Sequence, residues 1–172
     1  MDLQAFKQKV LPVQNRLFRL AKMFLRNREE AEDTLQEVLL RLWTKRQQLD
    51  DYQSVEALAV QMTRNLCLDK LKSGANQTMN DDATIQSFQA TGASPYEQLE
   101  ATDSAEVMRR LIDTLPETQK LILHLRDVEE YSFEEIQEVT GLTINNIRVI
   151  LSRARQQVRE MYLKTTNYEA GY

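Results

Sequence analysis

The stretch SGANQTMNDDATIQSFQATGASPYEQLEA (73–101) most constrains what this chain can fold into. It is polar and rich in small residues, and its apolar side chains keep no steady period. Residues 73–103 hold no Lys or Arg and five acids: Asp81, Asp82, Glu97, Glu100 and Asp103. Such a segment buries too little apolar surface to join a core, so it reads as a linker. The 172 residues must then build two small cores on either side of it. The expected division is a helical domain over 1–73, an acidic linker over 74–103, a second helical domain over 104–165 and a frayed tail over 166–172. Extended, about 30 residues reach ~100 Å; as a relaxed coil they span on the order of 30 Å.

Both flanks read as helix. The chain has only four Gly and three Pro, and helix formers such as Leu, Gln, Glu, Arg and Ala dominate. The fold class is therefore all-α. Leu3, Phe6, Val10, Leu17, Leu20, Met23 and Phe24 recur near helical spacing, with Pro12 at a helix start or a kink. NREEAEDTLQEVLLRLWTKRQQL (27–49) predicts a long helix. Its stripe is Leu35, Val38, Leu39, Leu42 and Trp43, and acids from Glu29 to Asp33 favour its N-terminal end. Trp43 is expected in the core. A polar break over 50–54 precedes a third helix over 54–73, with Ser54 as N-cap and Gly74 as stop. Leu58, Met62, Leu66, Cys67 and Leu71 are expected to face inward.

The last quarter sorts its charge. Residues 143–164 carry Arg148, Arg153, Arg155, Arg159 and Lys164 against Glu160 alone, although the chain as a whole has net charge −4. When charge is segregated in this way, the overall value says little about partners. From Ser104 the pattern predicts four helices. Pro116 opens the second, and Ser132-x-x-Glu135 is a capping box for the third. Gly141 suits a left-handed turn, and Thr143 caps the fourth. Ile136 and Val139 bury the third helix. Ile144, Ile147, Leu151, Ala154 and Val158 bury the fourth. A helix, a Gly-containing turn and a second helix with basic residues off its apolar stripe form the helix-turn-helix pattern. The second helix then presents Thr143, Asn145, Asn146, Arg148, Val149, Ser152, Arg153, Arg155 and Arg159 to DNA. Asn and Arg can pair bidentately with adenine and guanine edges. Arg155, Arg159 and Lys164 suit phosphates, which position the module without reading sequence. Val149 and Ile150 are both apolar, and one of them must face out. It either widens a core contact or touches a thymine methyl.

The two flanks together resemble the extracytoplasmic-function (ECF) sigma factors of the sigma-70 family of bacterial RNA polymerase. The likeness rests on REEAEDTLQEVLLRLW (28–43), MTRNLCLDKLKS (62–73) and LPETQKLILHLRDVEEYSFEEIQEVTGLTINNIRVILSRARQQ (115–157), in that order across an acidic linker. The resemblance implies an initiation factor that binds core RNA polymerase and recognises the −10 and −35 elements of promoter DNA. It places polymerase contact, on the clamp helices, at Asp33, Gln36, Glu37, Leu40 and Arg41. It places −10 contact at Tyr52, Gln53, Ser54, Arg64, Asn65, Lys70 and Lys72, and −35 contact on the last helix, whose module also packs on the polymerase flap. An anti-sigma factor is the further partner that the family implies.

Other chemistries find little footing. One Cys (Cys67) and one His (His124) leave no zinc site. There is no Gly-rich phosphate loop, and His124 has no evident nucleophile beside it. It is expected at the core edge or the surface. No enzyme activity, cofactor or small-molecule substrate is expected. The N-terminus has no signal-peptide core and no segment reaches membrane-spanning length, so a cytoplasmic location is expected. The alternative is a free-standing helix-turn-helix regulator. It would need a dimer to read two half-sites, and it leaves 27–73 without a role.

Overall fold

The computed structural model describes residues 1–78 and 104–170, and every regular element in them is helical. Two compact units divide at about Thr91 and Gly92. The expected linker falls mostly on 79–103, outside the described residues.

The N-terminal unit holds α1 (Leu3–Val10), α2 (Gln14–Leu25), α3 (Arg28–Thr44) and α4 (Val55–Thr78). Pro12 sits in a single 3₁₀ turn, Leu11–Val13, between α1 and α2. There its missing N–H costs nothing. Helix α2 packs on both α3 and α4. Its Leu17, Leu20, Ala21 and Phe24 recur at three- and four-residue steps and are buried. Arg26 closes α2 in the left-handed region (φ 55), its N–H donating to the Lys22 carbonyl. The Asn27 side chain caps α3 by accepting from the Glu30 N–H at 3.1 Å. An ion pair of 2.6 Å from Arg16 to Glu56 ties α2 to α4.

Four expectations need correcting here. Helix α3 stops at Thr44 rather than 49. Lys45 leaves helical geometry, and a 3₁₀ segment, Arg46–Asp51, turns Leu49 into the core. Gly74 does not stop α4, which continues to Thr78. Nothing lies within 4 Å of where its Cβ would be, and a mid-helix Gly costs only about 1 kcal/mol relative to Ala. Leu71 is exposed, while Ala59, Val60, Thr63, Leu66 and Cys67 form the buried face of α4. Trp43 is half-buried rather than fully inside. Its ring meets Phe6 edge-on at 5.1 Å and carries the Arg46 guanidinium 4.2 Å from its centre.

The C-terminal unit holds α5 (Ser104–Asp113), α6 (Glu117–Leu123), α7 (Phe133–Thr140) and α8 (Ile144–Ala170). Pro116 stands at the start of α6. Helix α6 runs on into a wide π turn, His124–Val128. The Ser132–Glu135 capping box is formed in both directions, at 3.1 Å each. Helix α8 packs on α5, α6 and α7. It buries Ile147, Leu151, Ala154 and Val158 and leaves Ile144 half-buried. The expected tail at 166 is instead helix as far as Ala170. Within it the Thr165 and Thr166 hydroxyls donate to the Met161 and Tyr162 carbonyls one turn back, as a threonine in a helix can do without leaving it. His124 is not on the surface. It is buried, with Nε2 3.5 Å from Glu129 Oε1.

Candidate nucleic-acid interface

The turn between α7 and α8 sets the site. Gly141 takes φ 73, a conformation that a Cβ disfavours, and its N–H closes α7 on the Gln137 carbonyl. Two residues later the Thr143 hydroxyl accepts from the Asn146 N–H at 3.2 Å and starts α8. The sharp turn lets α7 and α8 share one core while the far face of α8 stays open. All nine residues expected there are exposed: Thr143, Asn145, Asn146, Arg148, Val149, Ser152, Arg153, Arg155 and Arg159.

Their surroundings differ. Arg155 forks onto Asp127 of the π turn, Nε to Oδ2 at 3.1 Å and Nη2 to Oδ1 at 2.5 Å. This bonding raises the guanidinium's pKa further above its ordinary value. The Arg148 guanidinium lies 5.1 Å from the centre of the Phe133 ring, and Arg126 lies 4.4 Å from the same ring. Arg126 also donates to the Tyr131 carbonyl at 2.8 Å. Arg148 and Arg155 are thus drawn to the flank of α8 that faces the π turn and α7. Arg153 has no such tether among the described residues. Of the apolar pair, Val149 is 46 % exposed and Ile150 is half-buried.

Sequence reasoning missed two residues here. Asp127 and Phe133 organise the arginines from outside the helix, and no local pattern reports contacts between Asp127 and Arg155 or between Phe133 and Arg148, so far apart in sequence. Gln156 lies on the open face and donates to Glu160 at 3.2 Å. The sequence already sets it off the apolar stripe, with Asn145, Asn146, Arg148, Ser152, Arg153 and Arg155.

The N-terminal unit brings its two expected groups onto neighbouring helices. On α3, Asp33, Gln36, Leu40 and Arg41 are exposed and Glu37 is half-buried; Leu40 is 65 % exposed. Arg41 and Glu37 pair at 2.9 Å. Tyr52 and Gln53 are exposed in the break before α4, while Ser54 is spent as its cap, accepting from the Ala57 N–H at 3.1 Å. On α4, Asn65 and Lys72 are exposed, and Arg64 donates to Asn65 at 3.2 Å. Lys70 turns toward α3, where its ammonium donates to Thr34 Oγ1 at 2.7 Å and lies 3.9 Å from Glu37. Cys67 is fully buried, and burial pushes its thiol up to about 12.

Two family patterns match, one on each unit. Residues 10–77 match sigma-70 region 2, and residues 105–158 match sigma-70 region 4. The chain belongs to the sigma-70 family, as an ECF-type sigma factor. It is similar to the ECF RNA polymerase sigma factor SigM of Bacillus subtilis, 26 % identical over 90 % of this chain and 93 % of that protein. It is also similar to the probable RNA polymerase sigma factor RfaY of Xanthomonas campestris, 29 % identical over 94 % of this chain but 41 % of that longer protein. In fold it resembles the sigma factor RpoE of Bartonella quintana, solved in complex with the anti-sigma factor NepR. There the TM-score is 0.71 at 21 % identity, covering 94 % of this chain and 98 % of that one. As a sigma factor the protein directs RNA polymerase to promoters and is not an enzyme. None of its described helices is long and apolar enough to cross a membrane.

Proposed function

We propose that the two units divide promoter recognition between them. The region 4 unit reads the −35 element through the open face of α8: Asn145, Asn146, Val149, Ser152 and Arg153 toward base edges, and Arg148 and Arg159 toward phosphates. Arg155, forked onto Asp127, braces α8 from the side. The observation that carries this reading is the α7–α8 geometry, which leaves the first two turns of α8 open where such helices enter the major groove. The region 2 unit docks on the clamp helices of core polymerase through Asp33, Gln36, Glu37, Leu40 and Arg41. The large exposure of Leu40 beside charged neighbours supports this, since a wet leucine gains from being covered. Tyr52, Gln53, Arg64, Asn65 and Lys72 meet the opened −10 strand, with the exposed Tyr52 ring available for stacking on a base. Ser54 and Lys70 serve this surface by holding the start of α4 and its packing on α3. Residues 79–103 connect the units across the polymerase, which also offers its flap to region 4.

An anti-sigma factor is a fitting regulator, as the RpoE–NepR complex of similar fold illustrates. The test is reconstituted transcription with core polymerase and fragmented genomic DNA. Transcript starts sharing two upstream elements roughly two duplex turns apart, ~34–36 Å per turn, are expected. Binding to core without new starts would remove the DNA-reading role given to α8.

A further inference from the structure

Helix geometry puts two residues at the outward pole of α8: Val149 in its second turn and, two turns later, Gln156, which is bonded to Glu160. At about 100° per residue, the direction opposite the Ile147, Leu151, Ala154 and Val158 stripe points within about 20° of Val149. Asn145, Asn146, Ser152 and Arg153 are its neighbours at three and four positions, and all are exposed. The nearby arginines Arg148 and Arg155 are drawn aside to Phe133 and Asp127. The centre of the open face is therefore a branched hydrocarbon ringed by amides, a hydroxyl and a guanidinium. It lies in the N-terminal part of the helix, the part that approaches base edges in a helix-turn-helix.

The major groove displays one apolar group, the C5-methyl of thymine. A valine presents no donor or acceptor, so it cannot satisfy guanine, cytosine or adenine edges. Facing them, it would strip their water and return nothing. Facing a methyl, it removes apolar surface from water on both sides. We propose that Val149 is a specificity-determining residue that selects thymine at one position of the upstream promoter element by methyl contact. Ile150, half-buried beside it, contributes to the core and not to this contact. The inference rests on the reading of α8 as the −35 reader.

The test uses holoenzyme assembled from core polymerase and the full chain. The enzyme first selects promoters from a duplex library randomised over the upstream element. Each thymine of the selected sequence is then replaced singly by deoxyuridine, which keeps the base pair and removes only the methyl. One replacement is expected to lower initiation about four-fold, the factor that corresponds to one methyl's burial. The Val149→Ser enzyme, which has no methyl there, is expected to treat thymine and deoxyuridine alike at that position while keeping its preferences elsewhere. Val149 is exposed, so the variant should fold, and circular dichroism checks this. Indifference of the wild-type enzyme to every deoxyuridine would overturn the role of Val149 while leaving the −35 reading intact. Failure to enrich any upstream sequence would overturn both.

Discussion

Glu130 holds a left-handed backbone conformation, φ 59, just before Tyr131 enters the core. A residue with a Cβ pays about 1–2 kcal/mol there, and its exposed side chain has no partner among the described residues. Glu130→Gly should therefore stabilise the chain by about 0.5–1 kcal/mol, after the greater freedom of Gly in the unfolded state is allowed for. Urea denaturation measures this, and a loss of stability would show that the carboxylate matters. Arg153 and Arg155 look alike in sequence but should behave differently. Arg153→Ala is expected to cost about 1–3 kcal/mol at one base pair. Arg155→Ala should weaken all promoters alike, because it loosens α8 from Asp127; competition between promoter variants separates the two. Cys67 gives a pH signature. Its thiol is raised to about 12 from an ordinary 9.0, so the folded state keeps its proton longer than the unfolded one. The stability this reflects is complete below pH 9 and falls as pH rises from 9 toward 12. At pH 8 a thiol reagent should label the native chain only as fast as it opens, and rapid labelling would contradict the burial.

Among the elements, α7 and the turn after it are encoded most locally. The Ser132–Glu135 capping box, the Gly141 turn and the Thr143 cap could all be read from a dozen residues, because each depends on backbone groups within three or four positions. Ser132→Ala should cost about 1 kcal/mol. Gly141→Ala should cost a similar amount from backbone strain alone, since open space surrounds the site of a Cβ. Thermal melts of both variants test this, and a much larger loss for Gly141→Ala would point to a steric clash instead. The ends of α3, α4 and α8 were harder to read. Leu49 draws the chain out of α3 into a tighter turn for the sake of a core on other helices. Gly74 stays helical at modest cost, and the threonines near the end of α8 satisfy their hydroxyls within the helix. Such outcomes depend on small differences between competing geometries, which composition does not resolve.

For the whole molecule, net charge −4 with basic residues gathered in α8 and in residues 3–28 predicts a division of labour. Non-specific affinity follows the number of phosphates neutralised, so the free chain should bind random duplex weakly and with a shallow salt dependence. Holoenzyme should bind selected promoters far more tightly. Filter binding across a salt series checks this, and salt-resistant binding of the free chain to random duplex would refute it. Two helical units, their helix-turn-helix and their family could be read from the sequence. Helical period, caps and charge sorting act over short range, and each leaves its mark on adjacent residues. The tertiary structure decided which side of each helix is wet and which charged groups are already engaged. It moved Leu71 outward and His124 inward, turned Lys70 toward Thr34, and forked Arg155 onto Asp127. These choices depend on side chains brought together from distant positions, and only packing selects among the faces that a helical period allows.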